Sequence, residues 1–228
     1  MLENMLSYER DLFFLINGNH TEMLDYVMWI FSSTAIWAPL VAVFLFAFIY
    51  KKVWQEWLPI LLAVALVILL CDQFTSTLCK PLFARFRPTH HPMFMEQVQI
   101  VFGYTGGRYG FMSIHAANTF GFAAFMAMLF RYKPFTVIVF LWAAVTGYSR
   151  IYLGVHFISD VVCGAIVGTI IGFLVYKLYI FATSKLFYMD KDKLKESFHI
   201  QKKYIAAPIV RYISIMTEFN EVAIQIIR

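Results

Sequence analysis

The chain has 228 residues, of which 61% are hydrophobic, 18% aromatic and only 14% charged, with a formal net charge of +5. With a mean hydropathy of +0.67, this balance excludes one or two soluble domains of that length and predicts an all-α integral membrane protein. The positive charge suits basic loops at a membrane surface, and no basic patch interleaved with exposed aromatics supports a nucleic-acid partner.

Met1-Leu2-Glu3-Asn4 lacks a basic region, and the first long apolar run starts late, so no cleavable signal peptide is predicted. Residues 7–19 are amphipathic, with Leu12, Phe13, Leu15 and Ile16 against Glu9, Arg10 and Asp11. That piece is too short to span and predicts an interfacial helix, broken by Asn17-Gly18-Asn19. Crossing a bilayer takes about 20 apolar residues, and the stretches that qualify are 26–50, 54–78, 114–130, 134–149 and 158–181, a bundle of about five transmembrane helices. The first carries Trp29 and Trp37 and ends on Tyr50-Lys51-Lys52, an aromatic and basic border. Asp72 in the second is costly unless paired, which predicts a structural role with a nearby cation or polar group.

Residues 80–112 form the longest connection, rich in Pro early and Gly late, a length usual for functional loops. It carries Lys80, Arg85, Arg87 and Arg108 but Glu96 as its one acid. Arg131-Tyr132-Lys133 makes a tight basic hairpin, and a lysine-rich tail, 182–228, reads as cytoplasmic and partly interfacial. The positive-inside rule then places Lys51, Lys52, Arg131, Lys133 and the tail in the cytoplasm, and the long loop outside. Cys71, Cys79 and Cys163 read as core residues, with no disulfide framework or metal-ligand spacing. His90 and His91 have no carboxylate or cysteine at ligand spacing, and His20 and His199 read as interfacial.

Alternating the spans brings residues 80–87, 113–115 and 150–160 to one membrane face. The acids between Glu56 and Asp190 are Asp72, Glu96 and Asp160, so the cations gathered there call for an external anion. Arginine's planar fork and lysine's point charge suit a tetrahedral phosphate at Lys80, Arg87 and Arg150, with Ser113 adding a hydroxyl. If the last helix begins near Val155, His156 and Asp160 stand at i and i+4, and the carboxylate fixes the imidazole tautomer. His156 can then attack phosphorus while His115 protonates the departing oxygen, with guanidinium groups in place of a metal, so no cofactor is needed. The plain alternative for the His156 and Asp160 pair is a helix cap.

Three motifs carry a resemblance. Lys80 is followed after six residues by Arg87-Pro88; Met112-Ser113-Ile114-His115 comes next; Ser149-Arg150-Ile151-Tyr152-Leu153-Gly154-Val155-His156, with Asp160, closes the set. In order and spacing they resemble the type 2 phosphatidic acid phosphatases, which share their site with vanadium haloperoxidases; Ile114 stands where that family usually has glycine. The resemblance covers roughly residues 54–181 within a membrane-embedded domain, 1–181. It implies His156 as nucleophile, Asp160 as its orienter, His115 as general acid, and Lys80, Arg87, Ser113 and Arg150 as phosphate binders. Arg85 and Arg108 are not carried over and read as solvated loop charges, with contact to the substrate head group as the alternative. The implied substrate is a lipid phosphate or pyrophosphate, such as lipid A, undecaprenyl pyrophosphate or phosphatidylglycerophosphate, taken from the bilayer at the periplasmic or outer face of the cell membrane. No obligate protein partner is implied. An anion or lipid transporter and a non-catalytic lipid-binding protein are the competing readings; the first would use Asp72 and the arginines along a path, but the chain lacks the repeat symmetry transporters often show.

Overall fold

A computed structural model describes residues 2–33, 37, 46 and 54–186, with side chains from residue 7 onward. Among the described residues the main helices come in the order α1 (Leu2–Asn17), α2 (Glu22–Ser32), α3 (Trp54–Gln73), a wide π turn (Phe74–Cys79), α4 (Lys80–Phe83), α5 (Ile114–Phe130), α6 (Lys133–Tyr152) and α7 (Ile158–Leu186). Among them, Trp54–Phe83, Lys133–Tyr152 and Ile158–Leu186 are long and apolar enough to cross a membrane, and Ile114–Phe130 is a shorter apolar helix.

Several predicted boundaries change. The stretch 26–50 is not one continuous helix, because α2 starts at Glu22, capped by the Thr21 hydroxyl, and stops at Ser32, where Ser33 turns extended at φ −86°, ψ 111°. Apart from Trp37 and Phe46, the rest of that stretch lies outside the described residues, as does the tail from residue 187. The last helix, predicted to close at 181, runs on to Leu186.

Polarity explains the π turn. The Thr75 hydroxyl donates back to the carbonyls of Cys71 at 2.8 Å and Asp72 at 3.1 Å, a bond that competes with the helical ladder and widens it. The turn resets the register just before Lys80, so Lys80 lies in the last turns of the second span and not in a loop.

The helices pack around Ile60, Val67, Cys71, Ala117, Phe125, Val175 and Tyr179. Leu62, Leu69, Ile166, Ile170 and Leu174 stay on the outside, where lipid tails would cover them. In such a setting there is little hydrophobic drive between helices, so close contact needs small residues. Gly164, Gly168 and Gly172 supply it on α7: a Cβ at Gly168 would overlap the Ala117 carbonyl oxygen, and one at Gly164 would lie 2.6 Å from that of Ser113. This approach sets the site, since the Ser113 N–H at the start of α5 donates 3.0 Å to the Asp160 carbonyl at the start of α7. Gly168→Val is expected to wedge α5 from α7 and cost about 1–3 kcal/mol or more. A melting temperature in detergent equal to that of the parent would contradict the packing.

Candidate active site

The chain reverses direction from the span that ends in α4 to α5, to α6 and to α7, so the end of α4, the start of α5, the end of α6 and the start of α7 meet at one end of the bundle. Every residue singled out from the motifs lies there.

The chain leaves α4 through Ala84 in the left-handed region, at φ 42°. It then runs extended against the glycine-rich return: Phe86 pairs antiparallel with Tyr109, Arg87 N–H donates 3.1 Å to the Arg108 carbonyl, and Gly110 N–H donates 2.8 Å to that of Arg85. In an extended segment alternate side chains share a face, so Arg85 and Arg87 both turn toward the start of α7. A Cβ on Gly110 would lie 3.1 Å from both Arg87 Cγ and Asp160 Oδ2, so the missing side chain allows these groups their approach.

His156 precedes α7 by two residues, a departure from the predicted helical i, i+4 geometry. Its Nδ1 faces Asp160 Oδ2 at 3.4 Å, a long contact, and its Nε2 faces the Arg87 guanidinium at 3.2 Å. Because arginine can only donate, Nε2 is the acceptor and Nδ1 carries the hydrogen. Asp160 does more than orient this ring. It sits in the first turn of α7, where Oδ2 accepts the Phe157 N–H at 3.0 Å, so the capping role and the contact with histidine coexist in one carboxylate.

Arg87 also donates to the carbonyls of Tyr109 at 3.1 Å and Val155 at 3.2 Å. Burial, together with Arg150, holds its guanidinium down to about 10, still charged at neutral pH. Arg150, 2% exposed, donates to the Ser32 hydroxyl and, at 2.9 Å, to that of Tyr104, whose ring lies 5.3 Å beneath it. Its buried Nε meets no acceptor among the described residues. Ser113 caps α5, its hydroxyl accepting the Ala116 N–H at 3.4 Å. His115 is the second residue of α5, beside His156 and in the field of Arg150, Arg87 and Lys80. Lys80 stands in the same field as Arg87 and Arg150, and Asp72 acts on its charge through space.

Desolvation first, and then the charges of Arg87, Arg150 and Lys80, hold the His156 imidazole well below its ordinary value. It is therefore neutral at pH 7, with a lone pair on Nε2. An unfolded chain would bind the proton first as pH falls, so this histidine's contribution to stability is full above about 6.5 and is lost as pH falls toward the depressed folded value. The melting temperature of the parent is expected to fall more steeply than that of His156→Gln between pH 7.5 and 5. Parallel pH curves would contradict the depressed value.

Three participants were not apparent from the motifs. Arg85 is not a solvated loop charge: it donates to Asp160 Oδ1 at 2.8 Å, to the Ser159 hydroxyl at 2.6 Å and to Glu9 at 2.6 Å. The available signal was its alternation with Arg87 just before Pro88. Tyr104 and Ser32, which hold Arg150, carry no local signal. Arg108, by contrast, lies over the rings of Phe86 at 5.1 Å and Tyr109 at 5.6 Å.

The family model described as PAP2 superfamily matches residues 57–184, a range that holds all seven motif residues. A lipid A 4'-phosphatase of Porphyromonas gingivalis is 45% identical over 184 residues, covering 81% of this chain and 78% of that protein. A second lipid A 4'-phosphatase, from Bacteroides thetaiotaomicron, is 38% identical over 178 residues, 77% of this chain and 79% of that one. Among solved structures, LpxE of Aquifex aeolicus shares 30% identity at a TM-score of 0.55, over 73% of this chain and 93% of its own.

Proposed function

The chain belongs to the PAP2 superfamily, and on that premise we propose that it is a membrane phosphatase that removes phosphate from a lipid, with the 4'-phosphate of lipid A as its first candidate substrate. The observation that carries this reading is a buried, neutral His156 whose Nε2 opens on a cluster of arginines while Nδ1 is held toward Asp160. The 45% identity to a lipid A 4'-phosphatase supports the choice of lipid.

In the proposed reaction the phosphate oxygens take over the free donors. Arg87 turns its N–H from Nε2 to an oxygen, Arg150 offers the unmatched Nε, and Lys80 and Ser113 complete the cradle. The bound phosphate anion offsets the surrounding cations and lets His115 take up a proton; Nε2 then attacks phosphorus, a P–N bond forms, the P–O bond to the lipid breaks, and the protonated His115 gives that proton to the departing oxygen. Water attacks the phosphohistidine with His115 now accepting a proton, and inorganic phosphate leaves. The charge on the transferring group is met by guanidinium and ammonium groups already in place. We place this end of the bundle at the periplasmic or outer face of the inner membrane, opposite the basic turn Arg131-Tyr132-Lys133, which the positive-inside rule makes cytoplasmic.

We place these helix ends at lipid head-group depth, so that a substrate held in the bilayer would arrive concentrated and oriented. Purified protein is expected to release phosphate from lipid A in micelles or bilayers, at a kcat/KM far above that for a short soluble ester with the same head group. Equal efficiency toward both would show that the membrane does not deliver the substrate. Failure to release phosphate from any lipid phosphate would overturn the function.

A further inference from the structure

The clamp on Asp160 begins in the interfacial helix. On α1, Glu9, Phe13 and Asn17 recur at four-residue spacing and so share one face. Phe13 is fully buried against Phe157, with ring centroids 5.5 Å apart. Asn17, also fully buried, donates 2.8 Å to the Tyr152 carbonyl and 3.0 Å to that of Gln99, and accepts the Gln99 N–H at 2.9 Å. The helix is thus seated on both sides of His156. The opposite face, with Tyr8, Leu12 and Leu15, is 71%, 51% and 64% exposed.

Glu9 uses both oxygens. Oε1 accepts the Ser159 N–H at 2.8 Å, in the first turn of α7, where a negative charge is favoured by the helix dipole. Oε2 takes Arg85 at 2.6 Å, while the other arm of that guanidinium holds Asp160 Oδ1 at 2.8 Å, its plane lying 4.4 Å from the Phe157 ring. Arg85 therefore divides one positive charge between two carboxylates.

We infer that Glu9 is a positioning residue for the reaction, acting through Arg85 on Asp160 and His156; this rests on the site proposed above. With Glu9 in place, the group Glu9, Arg85 and Asp160 keeps a net negative charge beside the imidazole, which becomes positive when Nε2 is phosphorylated. Without it, Arg85 bears on Asp160 alone and cancels that charge. The carboxylate, already 3.4 Å from Nδ1, then holds the ring and its developing charge less well. Binding of phosphate oxygens by Lys80, Arg87 and Arg150 does not pass through this clamp.

The test uses full-length protein in detergent: parent, Glu9→Gln, Arg85→Gln, the double variant, and Arg85→Lys, which keeps a charge but cannot span two carboxylates. Kinetics on a lipid phosphate, vanadate binding by calorimetry and melting temperature are measured on each. Glu9→Gln is near-isosteric and retains an acceptor for Ser159. It is expected to lower kcat about tenfold with KM nearly unchanged, to weaken vanadate binding, which requires the histidine to bond a five-coordinate centre, and to melt near the parent. The double variant should fall no further than Arg85→Gln, the non-additivity expected of one path. Parental kcat and vanadate affinity in Glu9→Gln, or additive losses that follow melting temperature, would overturn the inference. Should Glu9→Gln fail to fold, Arg85→Lys decides by the same readouts. A parent protein that binds vanadate but hydrolyses no lipid would refute the proposed function and leave the vanadate comparison to judge the clamp; one that binds no vanadate overturns both.

Discussion

His156→Ala is expected to reduce phosphate release to the uncatalysed background while leaving the bundle folded. The ring is 1% exposed, and its replacement removes the acceptor of an Arg87 hydrogen bond. Arg87 retains the Tyr109 and Val155 carbonyls, however, so its charge is not left without partners. The helix contacts lie elsewhere, on Gly164, Gly168 and Gly172. Loss of the proposed nucleophile cannot be made good by the remaining cations, because they stabilise a transferring phosphoryl group but offer no lone pair to receive it. Activity and melting temperature measured together give the answer. Full activity in a folded His156→Ala protein would remove histidine from the mechanism, and His115 would be the next residue to examine.

Asp160→Asn should have the second largest effect, a fall in kcat of about two to four powers of ten, by analogy with the loss when a carboxylate behind a catalytic histidine becomes an amide. The side chain is fully buried and serves three groups at once: the Phe157 N–H, Arg85 and the His156 ring. An asparagine can keep its carbonyl on the Phe157 N–H, preserving the cap. Its amide hydrogens then face either Arg85 or Nδ1–H, donor against donor, and the imidazole loses both its fixed tautomer and the negative charge behind it. A kcat within a few-fold of the parent, with melting unchanged, would reduce Asp160 to a helix cap.

Much of this site could be read in advance because its chemistry is local in sequence. Lys80 and Arg87, Ser113 and His115, and Arg150, His156 and Asp160 each fall within a short motif at a span end, and alternating the spans is enough to gather them. The rest depends on distance. Arg85 meets Glu9 across 76 residues and Arg150 meets Ser32 across 118, separations over which no periodicity carries information. The stop of α2 at Ser32 is of the same kind. Hydropathy favours continuing the helix through 26–50, yet the chain turns extended where a hydroxyl meets the buried guanidinium. The π turn before Lys80 was hidden because threonine back-bonding leaves no mark on an apolar profile. Placing His156 inside the last helix gave the right partner by the wrong geometry: the ring and the carboxylate meet across the helix entry, with Phe157 as the hinge between them.

The most direct test of the central claim is to catch the phosphoryl group in transit. Protein mixed with a lipid bearing radiolabelled phosphate, quenched in alkali within one turnover and digested, is expected to yield label on the peptide containing His156, in an acid-labile, alkali-stable linkage, and none from His156→Ala. Turnover by the parent with label on no histidine, or on His115 alone, would contradict the account.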